Sequence, residues 1–131
     1  MKFKNLLFIF IIFGIFIKNS FSDEININSS NIKILNEGNI IDALNVEANI
    51  PNKKIEIEGD RSIYDKKNET LTIIKNVKFF DKLKNVYLEG EKVIYNQITD
   101  IVQTFGTTFI KIENKYNIYS KDLFYDRKLQ K

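Results

Sequence analysis

Ile55-x-Ile57-x-Gly59 and Val86-x-Leu88-x-Gly90 decide the fold, together with the related runs Ile25-x-Ile27-x-Ser29 and Tyr116-x-Ile118-x-Ser120. Their first residues fall at 25, 55, 86 and 116, a period of 30 or 31. Two large apolar side chains one residue apart, then a small residue, mark one face of a β-strand. Recurrence at this spacing is the pattern of stacked supersecondary units that bury their apolar faces against one another. Polar breaks at 36–39, 49–54, 65–69, 81–85, 96–100 and 113–115 come about every 15 residues, so each unit holds two strands and two turns. Strict alternation in Lys54-Ile55-Glu56-Ile57-Glu58, Thr70-Leu71-Thr72-Ile73 and Ile110-Lys111-Ile112-Glu113 agrees with strands, and the chain after residue 22 has no helical periodicity.

The register extends further. Tyr64, Tyr95 and Tyr125 are equivalent, preceded by Ile63, Ile94 and Phe124 and followed by Asp65, Asn96 and Asp126, which start turns. Asn45-Val46, Asn76-Val77 and Gly106-Thr107 are equivalent in the return strands. Asn and Gly tolerate positive φ, so each unit is expected to carry a bulge or kink here that bends the sheet, with an ordinary turn as the alternative. The fourth unit reads as unfinished, since after Tyr125 only six residues follow.

Residues 1–22 read as a cleavable export signal: Lys2 and Lys4, an apolar run from Leu6 to Ile17, then Ser20-Phe21-Ser22. An uncleaved anchor is the alternative, but a spanning helix needs about 20 apolar residues. The chain carries 20 basic and 17 acidic residues, and Lys2, Lys4 and Lys18 lie in the signal, which has no acid. The remainder is therefore balanced, and the basic character is no argument for nucleic acid. Residues 23–131 suffice for one domain.

Without histidine or cysteine, nucleophilic triads and the common zinc sites are excluded. The five glycines are isolated and form no phosphate loop. Glu56 with Glu58 and Glu89 with Glu91 share a strand face, but opposite the apolar row, as a solvated face does. No catalytic residue, metal site or cofactor is expected.

The run Ile57-Glu58-Gly59-Asp60-Arg61-Ser62-Ile63-Tyr64-Asp65, the turn 66–69 and the strand Thr70-Leu71-Thr72-Ile73-Ile74-Lys75-Asn76-Val77-Lys78 resemble the organic-solvent-tolerance (OstA-like) N-terminal domain family. The pattern returns at Leu88-Glu89-Gly90-Glu91-Lys92-Val93-Ile94-Tyr95 and at 119–126; Lys75 stands where the family usually has glycine. The resemblance implies an all-β fold, a half-open β-jelly roll of antiparallel strands shaped as a V-shaped trough, behind a signal-peptide helix. It also implies lipopolysaccharide transport in the periplasm, with lipid A acyl chains in the trough and other jelly-roll proteins of an export bridge as partners through edge strands. Association with the outer membrane, directly or through a C-terminal barrel, belongs to the same expectation.

Exposing one acyl methylene to water costs roughly 0.8 kcal/mol, so a chain of about a dozen carbons costs on the order of 10 kcal/mol. An apolar trough removes most of that cost. Its expected lining is Ile55, Ile57, Ile63, Val86, Leu88, Ile94, Ile118 and Phe124. The alternative is that these residues fill a closed core, as in a structural β-solenoid or surface-protein fragment with no ligand. Segment 25–34, with Ile25, Ile27, Ile32 and Ile34, is the expected leading edge; 116–126, with Tyr116 and Ile118, is the trailing one.

Overall fold

A computed structural model describes residues 23–129. The expected signal and its helix, 1–22, lie outside the described residues. Nine antiparallel strands form one sheet: β1 Asn26–Asn28, β2 Asn31–Leu35, β3 Ile40–Ile50, β4 Ile55–Asp65, β5 Thr70–Asp81, β6 Val86–Asn96, β7 Ile101–Ile112, β8 Tyr116–Lys121 and β9 Phe124–Asp126. Each long strand pairs with the next, while β1 and β2 share the free side of β3, and β8 and β9 that of β7. Both margins are thus strands broken in the middle. The all-β jelly roll implied by the family resemblance is what the chain forms.

Turn chemistry fixes the strand ends. Asp65 Oδ1 accepts the amide N–H of Asn68, and Asn96 Oδ1 those of Ile98 and Thr99. Asp126 Oδ1 accepts those of Lys128 and Leu129. Equivalent residues thereby make equivalent side-chain-to-backbone turns. Lys54 and Asn85 take positive φ where the opposite turns re-enter the sheet, and Glu113 where the chain leaves β7.

The long strands are folded in half. β4 has 11 residues and would run about 36 Å if straight, at roughly 3.3 Å per residue. Yet Lys53, before β4, has its Nζ 3.4 Å from Asp100, which belongs to the opposite row of turns. The crease lies where Asn45 (φ 51°), Asn76 (φ 51°) and Gly106 (φ 84°) take left-handed backbone. The ladders slip there, between Glu58 and Arg61, Ile74 and Val77, and Gly90 and Lys92. The expected kink is present at all three positions, and the register shifts beside it in the β4–β5, β5–β6 and β6–β7 ladders, while β3–β4 stays in register. In β7 the residue that takes the buried place of Val46 and Val77 is Thr108, not Thr107, because one extra residue follows the kink.

The slip reverses the alternation of side chains. Before it, β4 points Ile55, Ile57 and Gly59 inward; after it, Ser62 and Tyr64. In β6 the inward series is Val86, Leu88 and Gly90, then Val93 and Tyr95. Ile63, Ile94 and Phe124, expected on the inner face, therefore stand on the outer one. Phe124 is 59% exposed beside buried Tyr125.

Candidate lipid trough and its edges

The inner face is a set of apolar rungs that cross the sheet. One runs Ile27, Ala48, Ile57, Phe79, Leu88, Ile110, Ile118, each directly opposite the next. On the other side of the crease, Ile41, Tyr64, Leu71, Tyr95, Val102 and Tyr125 do the same. Because the sheet is folded, the two sets pack on each other, with the rings of Phe79 and Tyr95 6.2 Å apart. At the crease, side chains must be small. A Cβ on Gly59 would lie 2.2 Å from Ile73 Cγ2, and buried Thr104 and Thr108 join hydroxyls at 2.7 Å.

Of the expected lining, Ile55, Ile57, Val86 and Leu88 are packed inside, Leu88 at 0% exposure. Ile118 shares their face but is 44% exposed. Stagger between the two rows of turns explains the difference. The turn after β3 meets the turn before β7, and the end of β5 meets the residues after β9. Among the described residues, nothing covers the inner face of β2 or of β8. Ile32 and Ile34, opposite Ala43 and Ile41, are exposed at one end, Ile34 at 67%. Tyr116 and Ile118, opposite Ile112 and Ile110, are exposed at the other. Here a cavity of about 270 Å³ is walled by Val86, Ile110, Ile112, Ile118, Leu123 and Tyr125, and Phe124, of the expected lining, also borders it.

The trough thus has a filled middle and two apolar mouths at opposite margins. Ile112 was legible only as a member of an alternating strand, and Ile41 and Leu123 were not picked out; which of them reach a mouth depends on the stagger. Of the expected edge residues, Ile27 lies in β1, and Ile25 just before it, both packed against the core. Ile32 and Ile34 lie in β2, and Tyr116 and Ile118 in β8. Among the described residues β2 pairs only with β3 and β8 only with β7, so each presents an unpaired edge.

Over the middle, the two rows of turns are joined by a buried polar cluster. Arg127 Nε donates to Asp81 Oδ2 at 2.8 Å, its Nη1 to Asp100 Oδ1 at 2.6 Å, and its Nη2 to the Lys53 carbonyl at 3.3 Å. Lys53 Nζ donates to the Tyr95 hydroxyl at 3.0 Å, and that hydroxyl donates to Asp100 at 2.7 Å. Gln97 Nε2 donates to the Asp23 carbonyl, and Lys53 pairs with the Asp23 carboxylate. The side chains of Arg127 and Asp81 are 3% and 0% exposed. Burial disfavours the charge of Arg127, but its bonds to Asp81 and Asp100 outweigh this and hold it protonated beyond its ordinary range. Burial also opposes ionisation of Asp100, yet the Tyr95 hydroxyl and the Arg127 guanidinium hold its carboxyl below the usual value. Burial and the Asp81 charge push the Tyr125 phenol up to about 12.

Sequence reasoning missed this cluster, although one signal was there. Asp81 shares a rung with Ile50, Ile55, Val86 and Ile112, so it is an acid on an apolar face. Among the described residues, no group of acidic side chains has the arrangement of a metal site.

No family model matches the sequence, and no curated protein does. Among solved structures, the chain is similar to LptH from Pseudomonas aeruginosa, described as the LptA-homologous periplasmic component of the conserved lipopolysaccharide transport device. The TM-score is 0.73 over 83% of this chain and 80% of LptH, at 14% identity. At that identity the likeness establishes a shared fold, the half-open jelly roll of LptH.

Proposed function

We propose that this chain is a periplasmic module of a lipopolysaccharide export bridge, of the OstA-like type, which shelters lipid acyl chains in its apolar trough. The observation that carries the reading is an inner face that stays apolar from Ile27 to Ile118 and emerges into solvent at both margins. A closed domain has no need to leave Ile34 and Ile118 uncovered at opposite ends of one apolar surface. The fold shared with LptH and the export-type leader at residues 1–22 support the same reading. Unpaired β2 and β8 suit pairing with neighbouring jelly rolls by backbone hydrogen bonds. The module has no assigned chemistry of its own. Its lipid contacts begin at Ile32, Ile34, Tyr116, Ile118 and Leu123, and Ile55, Ile57, Val86 and Leu88 are reached as the trough opens.

The packed middle favours a second reading, a structural β-domain with a closed core. Titration with a fluorescent lipid A analogue separates the two. Ile118→Asp and Ile34→Asp place a charge at each mouth without entering the core. Saturable binding that either variant weakens at least tenfold supports the trough. A folded protein that binds no analogue supports the closed domain.

A further inference from the structure

Among the described residues, every backbone hydrogen bond runs between neighbouring strands or along one row of turns. None crosses from one row to the other. The rows are held together over the trough by side chains alone: the packing of the inner rungs and the polar cluster around Arg127. Arg127 arrives from beyond β9, at the end of the described chain, and ties Asp81 and the Lys53 carbonyl on one row to Asp100 on its own. Lys53 reaches back in the opposite direction to Asp100 and Tyr95. Parting the rows therefore breaks no rung of the sheet; it breaks this cluster and unpacks the faces beneath it.

We propose that the Arg127–Asp81–Asp100–Lys53 cluster is a latch that closes the trough, and that acyl lipid enters sideways when it opens. This rests on the lipid reading above and adds its regulation. The geometry requires such a step. Beneath the latch the rungs are filled by Ile57, Phe79 and Leu88 at 0–1% exposure, so a lipid with several chains can occupy the middle only if the rows part. The mouths offer the first foothold. A ligand opens such an equilibrium only through contacts made in the open state, and the uncovered rungs supply them. A buried ion pair suits a latch. Closed, its charges are satisfied by one another; open, they are satisfied by water, so both states are well solvated and few arrangements in between are.

The chain has no cysteine, so labels can be placed freely. Asn52→Cys and Ile98→Cys put nitroxides on exposed positions of the two opposed turns, next to Lys53 and near Asp100. Pulsed electron–electron distance measurement on the full chain should give one narrow, short distribution. Arg127→Ala should lengthen and broaden it while the β-sheet circular dichroism is retained. Should Arg127→Ala fail to fold, Asp81→Asn combined with Arg127→Met, which leaves neither of those charges buried, takes its place. Lipid A in detergent should shift the wild-type distribution to the same long distances, and loosening the latch should raise its association rate at least tenfold. A folded latch variant whose distance is unchanged, or lipid A bound at the closed distance, overturns the latch and leaves the trough standing. Lipid A that binds neither protein overturns the trough itself, and the gate with it.

Discussion

Gly59 and Gly90 occupy equivalent places in successive units, yet replacing each by alanine should have opposite effects. A Cβ on Gly59 falls 2.2 Å from Ile73 Cγ2, against about 3.5–4.0 Å for a favourable carbon contact. Ile73 is fully buried and β-branched, so its methyl cannot swing away without leaving its preferred rotamer. Overpacking of this kind costs about 1–3 kcal/mol, from which the stiffer unfolded chain returns roughly 0.4–1, leaving a loss between about 0 and 2.6 kcal/mol. At Gly90 the new Cβ meets Thr108 Oγ1 at 3.8 Å and Val93 Cγ2 at 3.9 Å, ordinary contacts. There only the unfolded-chain effect remains, a gain of roughly 0.4–1 kcal/mol. Urea unfolding followed by circular dichroism measures both; with a slope of about 1.5 kcal/mol per M, a loss of 1.5 kcal/mol lowers the midpoint by about 1 M. Ile73→Leu removes the branch at Cβ and should restore most of the loss in the Gly59→Ala background, a coupling of about 1 kcal/mol or more. Equal shifts for the two alanine variants, or no rescue by leucine, would refute the close approach of β4 and β5 at the crease.

Asp81→Ala should lower stability by about 3 kcal/mol, the low end for breaking a buried pair because Asp100 still faces Arg127. Asp81→Leu with Arg127→Leu should return to within about 1–2 kcal/mol of the parent, and a double variant as unstable as the single one contradicts the assignment. Acid should weaken the fold through Asp100. Its folded carboxyl lies below the ordinary 3.8, so its contribution is complete above about pH 4 and lost as pH falls through the depressed value. Asp100→Asn should flatten that part of the urea midpoint against pH. In alkali the phenol of Tyr125, raised from 10.0 to about 12, stabilises the neutral folded state below pH 10, and this is lost as pH rises toward 12. Absorbance titration near 295 nm should show the corresponding late ionisation, absent in Tyr125→Phe. The exposed pair of Arg61 with Asp42, though bonded at 2.9 and 2.6 Å, should barely move the urea midpoint when Arg61 becomes alanine, because solvent screens it.

By itself the sequence determined the two long strands of each inner unit, the places of the turns and the left-handed kink in mid-strand, but not the break that divides each marginal strand in two. These depend on local pattern: alternation along a strand, Asp or Asn at a turn start, Asn or Gly where φ turns positive. The face of Ile55, Ile57, Val86 and Leu88 was legible for the same reason. Tertiary structure decided what lies beyond each kink. One slipped residue reverses the alternation, so Ile63, Ile94 and Phe124 turn outward and Ser62, Val93 and Tyr125 take the interior. It alone decided where the trough is open, since Ile34 and Ile118 are exposed only because the folded halves meet out of step. It alone brought Lys53, Asp81, Asp100 and Arg127 together. They come from four separate segments, and no local pattern records how sharply a sheet must bend for its two ends to touch.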